Sequence, residues 1–352
     1  MKKCAVLVSG GVDSSVALRL VQEQGYAPTA FYLKIWLEDE LAYLGECPWQ
    51  EDLAYVEAVC KQANVPLEVV SLQKEYWDQV VTHTLLEIKA GRTPNPDILC
   101  NQRVKFGAFF NKIDASYETV VSGHYARVER DEQGRVTLHM TDDAIKDQTY
   151  FLSHLSQEQL SRVYFPLGTL TKVQVRELAH RYDLPNKDRK DSQGICFLGK
   201  LKFPDFVKHH LGEEQGPLIE VETGKRVGTH TGYWYYTIGQ RQGIGLSGGP
   251  WYVVSKQPEN NTVFISRQYY TDDKMRDTFK VTGCNWITGA PVQRELFVKL
   301  RHGPYLNRAH LIKHDDDSYT VRLEQRDQGI AVGQYAVFYD GSECLGGGVM
   351  SL

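Results

Sequence analysis

The first part of the chain alternates short apolar runs with amphipathic segments. The apolar runs predict strands at Ala5–Val8, Thr29–Leu33, Leu67–Val70 and Thr119–Val121, the first of them buried. Helical periodicity occupies the stretches near Ser14–Gln24, Glu51–Gln62, Lys74–Lys89 and Gln102–Lys112. This alternation is typical of an α/β fold with a doubly wound parallel sheet. Ligands of such sheets bind beyond the carboxyl ends of the strands.

The pattern changes further along the chain. A hairpin is predicted from Tyr125–Glu129 and Arg135–Met140, followed by helices near Gln157–Val163 and Lys172–Tyr182. From about residue 216 short β-rich runs are separated by glycines, and after about residue 276 alternating segments indicate a small antiparallel barrel. We therefore predict an α/β catalytic domain at residues 1–210, a β-rich central domain at 211–272 and a C-terminal β-barrel at 273–352.

Composition narrows the class of protein. Of 352 residues, 42% are hydrophobic and 24% are charged, as is usual for a globular protein. The first apolar run ends at Ser9, too early for a signal peptide, and no later run is long enough for a membrane span. We expect a cytoplasmic protein without membrane contact, or an organellar one whose targeting segment has been removed.

Cysteine spacing and local charge add two further expectations. The seven cysteines are widely spaced and form no CxxC pair, which predicts free thiols and no protein-built metal site. Residues 36–58 hold seven acids and no Lys or Arg, whereas residues 171–210 hold nine Lys or Arg and five acids. The basic stretch suits either a polyanion partner or a solvated helix face, and charge alone leaves both open.

The stretch Val6–Ser15 joins a predicted strand to a predicted helix through a Ser-Gly-Gly turn. Gly10 and Gly11 lack a Cβ, so backbone N–H groups can approach an oxyanion, and Ser14 and Ser15 can cap the helix or donate hydroxyls. The helix dipole adds to the attraction. The loop has no lysine, so GxxxxGK[ST] fails, and GxGxxG fails too. The stretch predicts an anion site, the alternative being an ordinary turn.

Two cysteines have surroundings that suit a reactive thiol. Cys100 follows a proline-containing turn where a helical pattern starts, so we predict it near a helix N-terminus, which would lower its pKa. Cys196 follows the basic run 187–190, which would stabilise a thiolate or a persulfide. The alternative for Cys100 is a packed thiol, and for Cys47 we favour a structural role. The residues alone leave open whether Cys100 and Cys196 are close in space.

Six motifs occur in an order that is informative as a set. They are Ser9-Gly10-Gly11-Val12-Asp13-Ser14-Ser15, Thr93 to Asn101 (TPNPDILCN), Ser122-Gly123-His124-Tyr125, Asp147 to Leu152 (DQTYFL), Asp191 to Phe197 (DSQGICF) and Tyr236 to Arg241 (YTIGQR). The first resembles the pyrophosphate loop of the N-type ATP pyrophosphatases. The set resembles the tRNA-specific 2-thiouridylases of that superfamily over nearly the whole chain.

The resemblance implies ATP-dependent sulfur insertion at the 2-position of the wobble uridine of tRNA. ATP would adenylate the uracil 2-oxo oxygen and release pyrophosphate, and the products would be 2-thiouridine, AMP and pyrophosphate. Cys196 matches the persulfide carrier. Cys100 matches its partner, which either attacks the persulfide to form a disulfide or helps to release hydrosulfide. Implied partners are tRNAs for glutamate, glutamine and lysine and a sulfur donor, either a cysteine desulfurase or a relay protein.

The resemblance also assigns individual residues. ATP and Mg²⁺ are the implied cofactors, with Asp13 the nearest candidate to influence the metal. Positions that match ATP contacts are Leu7, Val8, Ser9, Gly10, Gly11, Val12, Asp13, Ser14, Leu33 and Gly123. The segment matching the target-base contact is Asn95, Pro96 and Asp97. Positions that match tRNA contacts are His124, Lys146, Asp147, Gln148, Arg301, His302 and Gln334. Without the resemblance, turns, surface charges and core packing would explain many of them equally well.

Two departures from the family pattern affect contact details. Leu33-Lys34-Ile35-Trp36 stands where relatives usually have Met-Lys-Asn-Trp, and His302 replaces a common tyrosine. We interpret the aromatic run Tyr233–Tyr236 as core packing rather than a base-stacking platform.

Two other functions remain open at this stage. One is an ATP-dependent ligase or amidotransferase of the same superfamily, which would be insensitive to loss of either thiol. The other is a tRNA-binding module without catalysis, which tRNA-dependent turnover of ATP to AMP would eliminate.

Overall fold

The computed structural model describes residues 2–35, 49–191, 203–269, 271, 276–327 and 329–351. Three residues that the sequence singles out, Trp36, Cys47 and Cys196, lie outside the described residues.

A five-stranded parallel sheet forms the centre of the first part of the chain. Its strands are β1 (Lys3–Val8), β2 (Ala27–Lys34), β3 (Leu67–Ser71), β4 (Thr119–Val121) and β7 (Val163–Tyr164), in the order β3-β2-β1-β4-β7. Residues 4–8 are all buried, as their continuous apolar sequence predicts for a central strand. The doubly wound parallel sheet is confirmed. Because the strand order reverses between β1 and β4, a crevice opens where these two strands end.

Helices connect the strands. They are α1 (Val12–Glu23), α2 (Trp49–Ala63), α3 (Gln73–Tyr76), α4 (Thr82–Lys89), α5 (Pro96–Leu99), α6 (Thr149–Leu152), α7 (Gln157–Ser161), α8 (Lys172–Arg181) and α9 (Phe203–Leu211). A π-helical turn at Trp77–Val81 joins α3 to α4. None of the helices in the described ranges is both long enough and apolar enough to cross a membrane.

The prediction of one continuous helix at Gln102–Lys112 is wrong. The chain forms a π-helical turn at Cys100–Lys105 and then a 3₁₀ turn at Ala108–Asn111. Gly107 separates them, and a Cβ on this residue would lie 2.3 Å from the carbonyl oxygen of Arg103. The backbone therefore turns sharply at the glycine, which a periodicity of apolar residues does not show.

The second part of the chain is a four-stranded sheet. Strands β8 (Gly216–Glu220), β9 (Arg226–His230), β10 (Tyr252–Gln257) and β11 (Thr262–Ser266) lie in the order β10-β11-β8-β9. Tyr233 and Tyr236 belong to the hydrophobic cluster of this sheet, and both are buried. Core packing therefore describes these aromatic residues, as we expected.

The last part of the chain is a closed antiparallel barrel. Its strands are β12 (Arg276–Trp286), β13 (Glu295–Lys299), β14 (Asn307–Lys313), β15 (Tyr319–Asp327), β16 (Tyr335–Asp340) and β17 (Glu343–Ser351). They lie in the order β12-β15-β14-β13-β16-β17, and pairing of β12 with β17 closes the barrel. The predicted β-barrel is confirmed. The predicted domain limits at residues 210 and 272 stay a prediction.

A hairpin from the first part of the chain extends the sheet of the barrel. Strands β5 (Arg127–Arg130) and β6 (Val136–His139) form the predicted hairpin. In addition, β6 pairs with β17, so that His139 lies opposite Glu343 and Leu138 opposite Cys344. The α/β part and the barrel therefore share a hydrogen-bonded sheet, which the sequence did not predict.

A buried ion pair crosses the same junction. Lys299 in β13 places Nζ 2.7 Å from Oδ2 of Asp147, and both side chains are 1% exposed. The hydroxyl of Thr149 donates to the same carboxylate. Two charges removed from water in this way hold each other in place, because either one alone would be buried without a partner.

We expect Lys299→Met to lower the free energy of unfolding by about 3–5 kcal/mol, because it leaves the Asp147 carboxylate buried and unpaired. Lys280→Met is the matched control: Lys280 is also in the barrel, but its 3.2 Å pair with Asp316 is exposed, and its loss should cost less than about 1 kcal/mol. Urea denaturation measures both, and equal effects would contradict the role of burial.

Candidate active site

Two loops meet in the crevice at the ends of β1 and β4. The loop Ser9–Gly11 follows β1, and residues 122–124 follow β4. A Cβ on Gly123 would lie 2.8 Å from the backbone nitrogen of Ser14. Glycine is therefore required at position 123, since any side chain would push the second loop away from the start of α1.

The loop after β1 is built to expose the N-terminus of α1. Gly10 has a φ of +78°, and a Cβ there would lie 2.6 Å from the carbonyl oxygen of Asp52. The Ser9 N–H donates to Ser14 Oγ at 3.2 Å, and the hydroxyls of Ser14 and Ser15 both donate to the Gly11 carbonyl. The first N–H groups of α1 have no acceptor within the helix, so the arrangement suits an anion.

The other predicted ATP positions differ in exposure. Leu7 is 7% exposed and Val8 is 5% exposed within β1. Leu33 lies near the end of β2 and is half-buried against the core of the sheet. Because Leu7 and Val8 are buried, a nucleotide in the crevice can reach them mainly through backbone atoms. The assignment of all these residues to ATP stays a prediction.

Two residues far along the chain hold the loop Ser9–Gly11 in place by hydrogen bonds. Asn186 donates through Nδ2 to the Gly10 carbonyl at 2.8 Å and to Ser15 Oγ at 2.9 Å. Arg189 donates to the same carbonyl at 3.0 Å and pairs with Asp52. The sequence missed both contacts, having assigned Arg189 to the surroundings of Cys196. Arg189, one of the cations of the basic run 187–190, therefore contacts the loop Ser9–Gly11.

Asp13, in the first turn of α1, lies in a network of charges. Lys172 places Nζ 2.7 Å and 2.9 Å from its two carboxylate oxygens, and the Tyr125 hydroxyl donates to it at 2.9 Å. Lys172 also lies 2.7 Å from Asp191, and Lys146 lies 2.8 Å from Asp191. The sequence missed Lys172 because 159 residues separate it from Asp13.

The network perturbs the two groups at its ends. Burial acts to raise the pKa of Asp191, but the hydrogen bonds and charges of Lys146 and Lys172 outweigh it and hold this pKa well below the usual range. Burial raises the pKa of Tyr125 well above its usual value, and the neighbouring Asp13 adds to this effect. Tyr125 therefore acts as a neutral donor to Asp13.

Cys100 does not lie at a helix N-terminus, so that prediction is wrong. Helix α5 begins at Pro96, and the side chain of Asn95 caps it by accepting from the Ile98 N–H at 3.3 Å. Cys100 is the fifth residue of this helical segment, which continues without a break as the π-helical turn Cys100–Lys105. It therefore lies beyond the first turn, where a helix dipole acts on a thiol, and it is completely buried. Its burial favours a protected thiol.

Four further cysteines of the described residues are free thiols. They are Cys4, Cys60, Cys284 and Cys344. Burial raises the pKa of the Cys4 and Cys60 thiols to about 11 and that of the Cys284 thiol to about 12. These thiols are therefore poor nucleophiles at neutral pH.

The barrel holds the segment predicted to contact the target base. Gln334 donates through Nε2 to the carbonyls of Thr93 and Pro94, both at 3.1 Å. The Thr93 N–H donates in turn to the Val332 carbonyl at 2.9 Å. Gln334 thus positions the turn that leads into Asn95, Pro96 and Asp97. Direct contacts of these residues with tRNA stay a prediction.

Three more of the predicted tRNA residues lie around the start of α6. Asp147 is 2% exposed and its carboxylate is paired with Lys299, so its side chain offers little surface to a ligand. His302 stacks on Phe151 at 4.6 Å and contacts the Asp147 carbonyl at 3.1 Å. Gln148 accepts from the Tyr125 N–H at 3.0 Å. The contacts of these three residues fix the local backbone.

The surface next to His302 is open. Arg301 is 59% exposed and lies 3.3 Å from Asp327. It lines a pocket of about 300 Å³ whose walls are Leu300, Arg301, His302, Gly303, Tyr305, Asn307 and Asp327. Arg301 is therefore more accessible to a polyanion than Asp147 is.

His124 lies between aromatic rings. Its ring centroid is 5.9 Å from that of Phe106 and 5.8 Å from that of Phe165, and Nδ1 lies 2.6 Å from Ser122 Oγ. Burial, aided by the charge of Lys105, holds the pKa of His124 well below 6.5. The imidazole is therefore neutral at pH 7, and its interactions are hydrogen bonds and ring contacts.

The fold and the site define an α/β protein with an anion site at a strand-to-helix loop, followed by two β-structured parts. Residues 2–200 match the family model described as tRNA methyl transferase HUP domain. Residues 204–267 match the tRNA methyl transferase PRC-barrel domain, and residues 276–350 match the Aminomethyltransferase beta-barrel domain.

Relatives match over the whole length. The tRNA-specific 2-thiouridylase MnmA 1 of Bacteroides thetaiotaomicron is 43% identical over 351 residues, with 98% of each chain covered. The tRNA-specific 2-thiouridylase MnmA of Parabacteroides distasonis is 42% identical over 353 residues, again with 98% of each chain covered. That of Porphyromonas gingivalis is 42% identical over 358 residues, covering 99% of this chain and 98% of the relative. The chain belongs to the family of tRNA-specific 2-thiouridylases.

We expect Gly10→Ala to reduce the affinity for pyrophosphate about tenfold or more, because the new Cβ meets the Asp52 carbonyl and displaces the loop. Gly134→Ala is the matched control. Gly134 has the same φ of +78°, and nothing lies within 4 Å of a Cβ built on it. Its substitution therefore adds the same kind of backbone strain, about 1–3 kcal/mol, without a steric clash and without a change at the anion site. Calorimetric titration measures the affinities, and unchanged binding by Gly10→Ala would contradict this account of the loop.

The neutral state of His124 predicts a pH dependence. Below about pH 6.5 the unfolded state takes up a proton that the folded state refuses, so stability falls as the pH falls toward the lowered pKa. His124→Asn should remove this part, which amounts to about 1.4 kcal/mol per pH unit. Urea unfolding at pH 7 and pH 5.5 measures the free energy of unfolding of wild type and of His124→Asn. If this free energy falls equally with pH in the two proteins, His124 takes up a proton in the folded state as readily as in the unfolded state.

Proposed function

We propose that the chain is an ATP-dependent tRNA-uridine 2-sulfurtransferase that thiolates the 2-position of the wobble uridine. Membership of the thiouridylase family supports this proposal. The structural observation that carries it is the loop Ser9–Gly11 at the N-terminus of α1, closed from the other side by Gly123. An anion site of this kind suits the pyrophosphate that leaves when ATP is split at its α-phosphorus.

The chemistry has two displacements. The uracil 2-oxo oxygen attacks the α-phosphorus of ATP, the bond to the bridging oxygen breaks, and pyrophosphate leaves. Sulfur then attacks C2, and the C2–O bond breaks as AMP leaves. The first N–H groups of α1 stabilise the charge that develops on the departing pyrophosphate, because they already point at its position.

We propose Cys196 as the carrier of a persulfide and Cys100 as its partner. Attack of the Cys100 thiolate on the inner sulfur of the persulfide would release hydrosulfide and leave a disulfide. Two external thiols, or one dithiol, must then supply two electrons to reduce this disulfide before the next turnover. Cys100 is enclosed in the core, which protects this thiol until the partner thiol reaches it. The sulfur donor would be a cysteine desulfurase or a relay protein.

A divalent cation at this site would be bound mainly by the phosphates of ATP. Within the ranges that the structure describes, no three His, Cys, Asp or Glu side chains are grouped as metal ligands. Asp13 is the carboxylate at the loop, and Mg²⁺ commonly binds one carboxylate together with substrate phosphates. Asp13 would then hold Mg²⁺, whose charge would offset that of the phosphates.

The tRNA would lie across the α/β part and the barrel. Arg301 and His302 on the barrel and Lys146 before α6 offer exposed or half-exposed groups to the backbone of the RNA. We propose tRNAs that accept glutamate, glutamine and lysine as substrates.

The test is sulfur transfer with purified components: unmodified glutamate tRNA, Mg-ATP, cysteine and a cysteine desulfurase, followed by electrophoresis in a gel containing mercury, which retards thiolated RNA. We expect wild type to give a retarded band, and Cys100→Ala and Cys196→Ala to lose at least about 99% of it, because each removes an atom of the sulfur pathway. Cys284→Ala, which removes an unreactive thiol, should keep the band.

Two results would contradict the proposal. If Cys100→Ala and Cys196→Ala both retain the band, the sulfur does not pass through these thiols. If wild type binds ATP and tRNA but gives no thiolated RNA with any desulfurase or relay protein, an ATP-dependent ligase becomes the better explanation.

A further inference from the structure

Helix α8 brings a lysine to the anion site from outside the loop. Lys172 is the first residue of α8, and its side chain is 15% exposed. Its backbone is fixed by the Thr171 capping box and by donation of its own N–H to Asp143 at 3.0 Å. A cation at a helix N-terminus is unfavourable with respect to the helix dipole. The position is therefore explained by what the ammonium contacts and not by the stability of α8.

The loop itself has an electrostatic conflict. Asp13 lies in the first turn of α1, where phosphate oxygens would bind. A carboxylate there suits the dipole of an empty helix end but repels a polyanion. Lys172, at 2.7 Å and 2.9 Å from its oxygens, offsets this charge.

We propose that Lys172 is the side-chain cation that contacts the phosphates beside the divalent cation, supplied by α8 because the loop has no lysine of its own. This inference rests on the proposed use of ATP and assigns one more residue to it. When a pyrophosphate group binds at α1, the ammonium keeps its contacts with Asp13 and Asp191 and donates its third proton to a phosphate oxygen. No covalent bond forms or breaks at Lys172.

Arg189, the other cation that contacts this loop, is occupied differently. It donates to the Gly10 carbonyl and pairs with Asp52, so it supports the backbone of the loop. Lys172 instead contacts carboxylates at the start of α1 and beside it. An ammonium has three donors that rotate freely, so it can contact a phosphate oxygen in addition to the two carboxylates without moving its helix.

The test is isothermal titration of the full chain with inorganic pyrophosphate and with ATP, without tRNA. We expect Lys172→Met to weaken both about tenfold or more, and Lys172→Arg to restore most of the loss because it keeps the charge. Arg181→Met is the matched control. Arg181 ends the same helix in an exposed pair with Glu23, so binding should be unchanged. Circular dichroism confirms that each variant is folded.

Three results would overturn the inference. One is wild-type affinity for pyrophosphate in folded Lys172→Met. Another is equal weakening by Lys172→Met and Lys172→Arg, which would show that Lys172 only packs α8 against α1. If wild type itself binds neither ligand, the proposed use of ATP fails and the inference fails with it. Wild-type binding of ATP with no effect of the variants removes the inference alone.

Discussion

The pairing of β17 with both the barrel and the β5–β6 hairpin is the constraint on which the rest of the structure depends. This strand closes the barrel against β12 and also hydrogen-bonds to β6 from the α/β part. The buried pair of Lys299 with Asp147 lies at the same junction. Because sheet hydrogen bonds and a buried ion pair both require close geometry, the two parts cannot rotate freely against each other. Residues from both can therefore build one site.

The anion site shows how that rigidity is used. Its loop is short and local, but the groups that hold it come from far along the chain: Asn186 and Arg189 support the backbone, and Lys172 supplies charge. From the barrel, Gln334 holds the turn before Asn95. A loop of small residues becomes a specific site because distant parts of the fold enclose it.

Much of the fold followed from local patterns. Four of the five parallel strands were predictable from their apolar runs, and the barrel was predictable because its strands alternate. Strand β7 was not predicted, because it has only two residues and the first of them, Val163, ends a segment with helical periodicity. The anion loop was predictable because Gly10 and Gly11 stand between an apolar strand and the start of a helix. The contacts of Lys172, Gln334 and β6 could not be predicted, since they depend on packing between segments that one sequence does not pair. Cys100 was misplaced because Asn95 and Pro96 started the helix four residues early.

The shared strand also has a consequence for biosynthesis. His139 at the end of β6 and Ser342 beside β17 are in contact but 203 residues apart. During synthesis on a ribosome, the hairpin emerges long before the strand that completes its sheet. Until β17 has been synthesised, the edge of β6 that will pair with it has unpaired backbone groups. An unpaired strand edge of this kind is a template for aggregation. Nascent chains of this protein should therefore be clients of chaperones that shield open strands until the last barrel strand has been made.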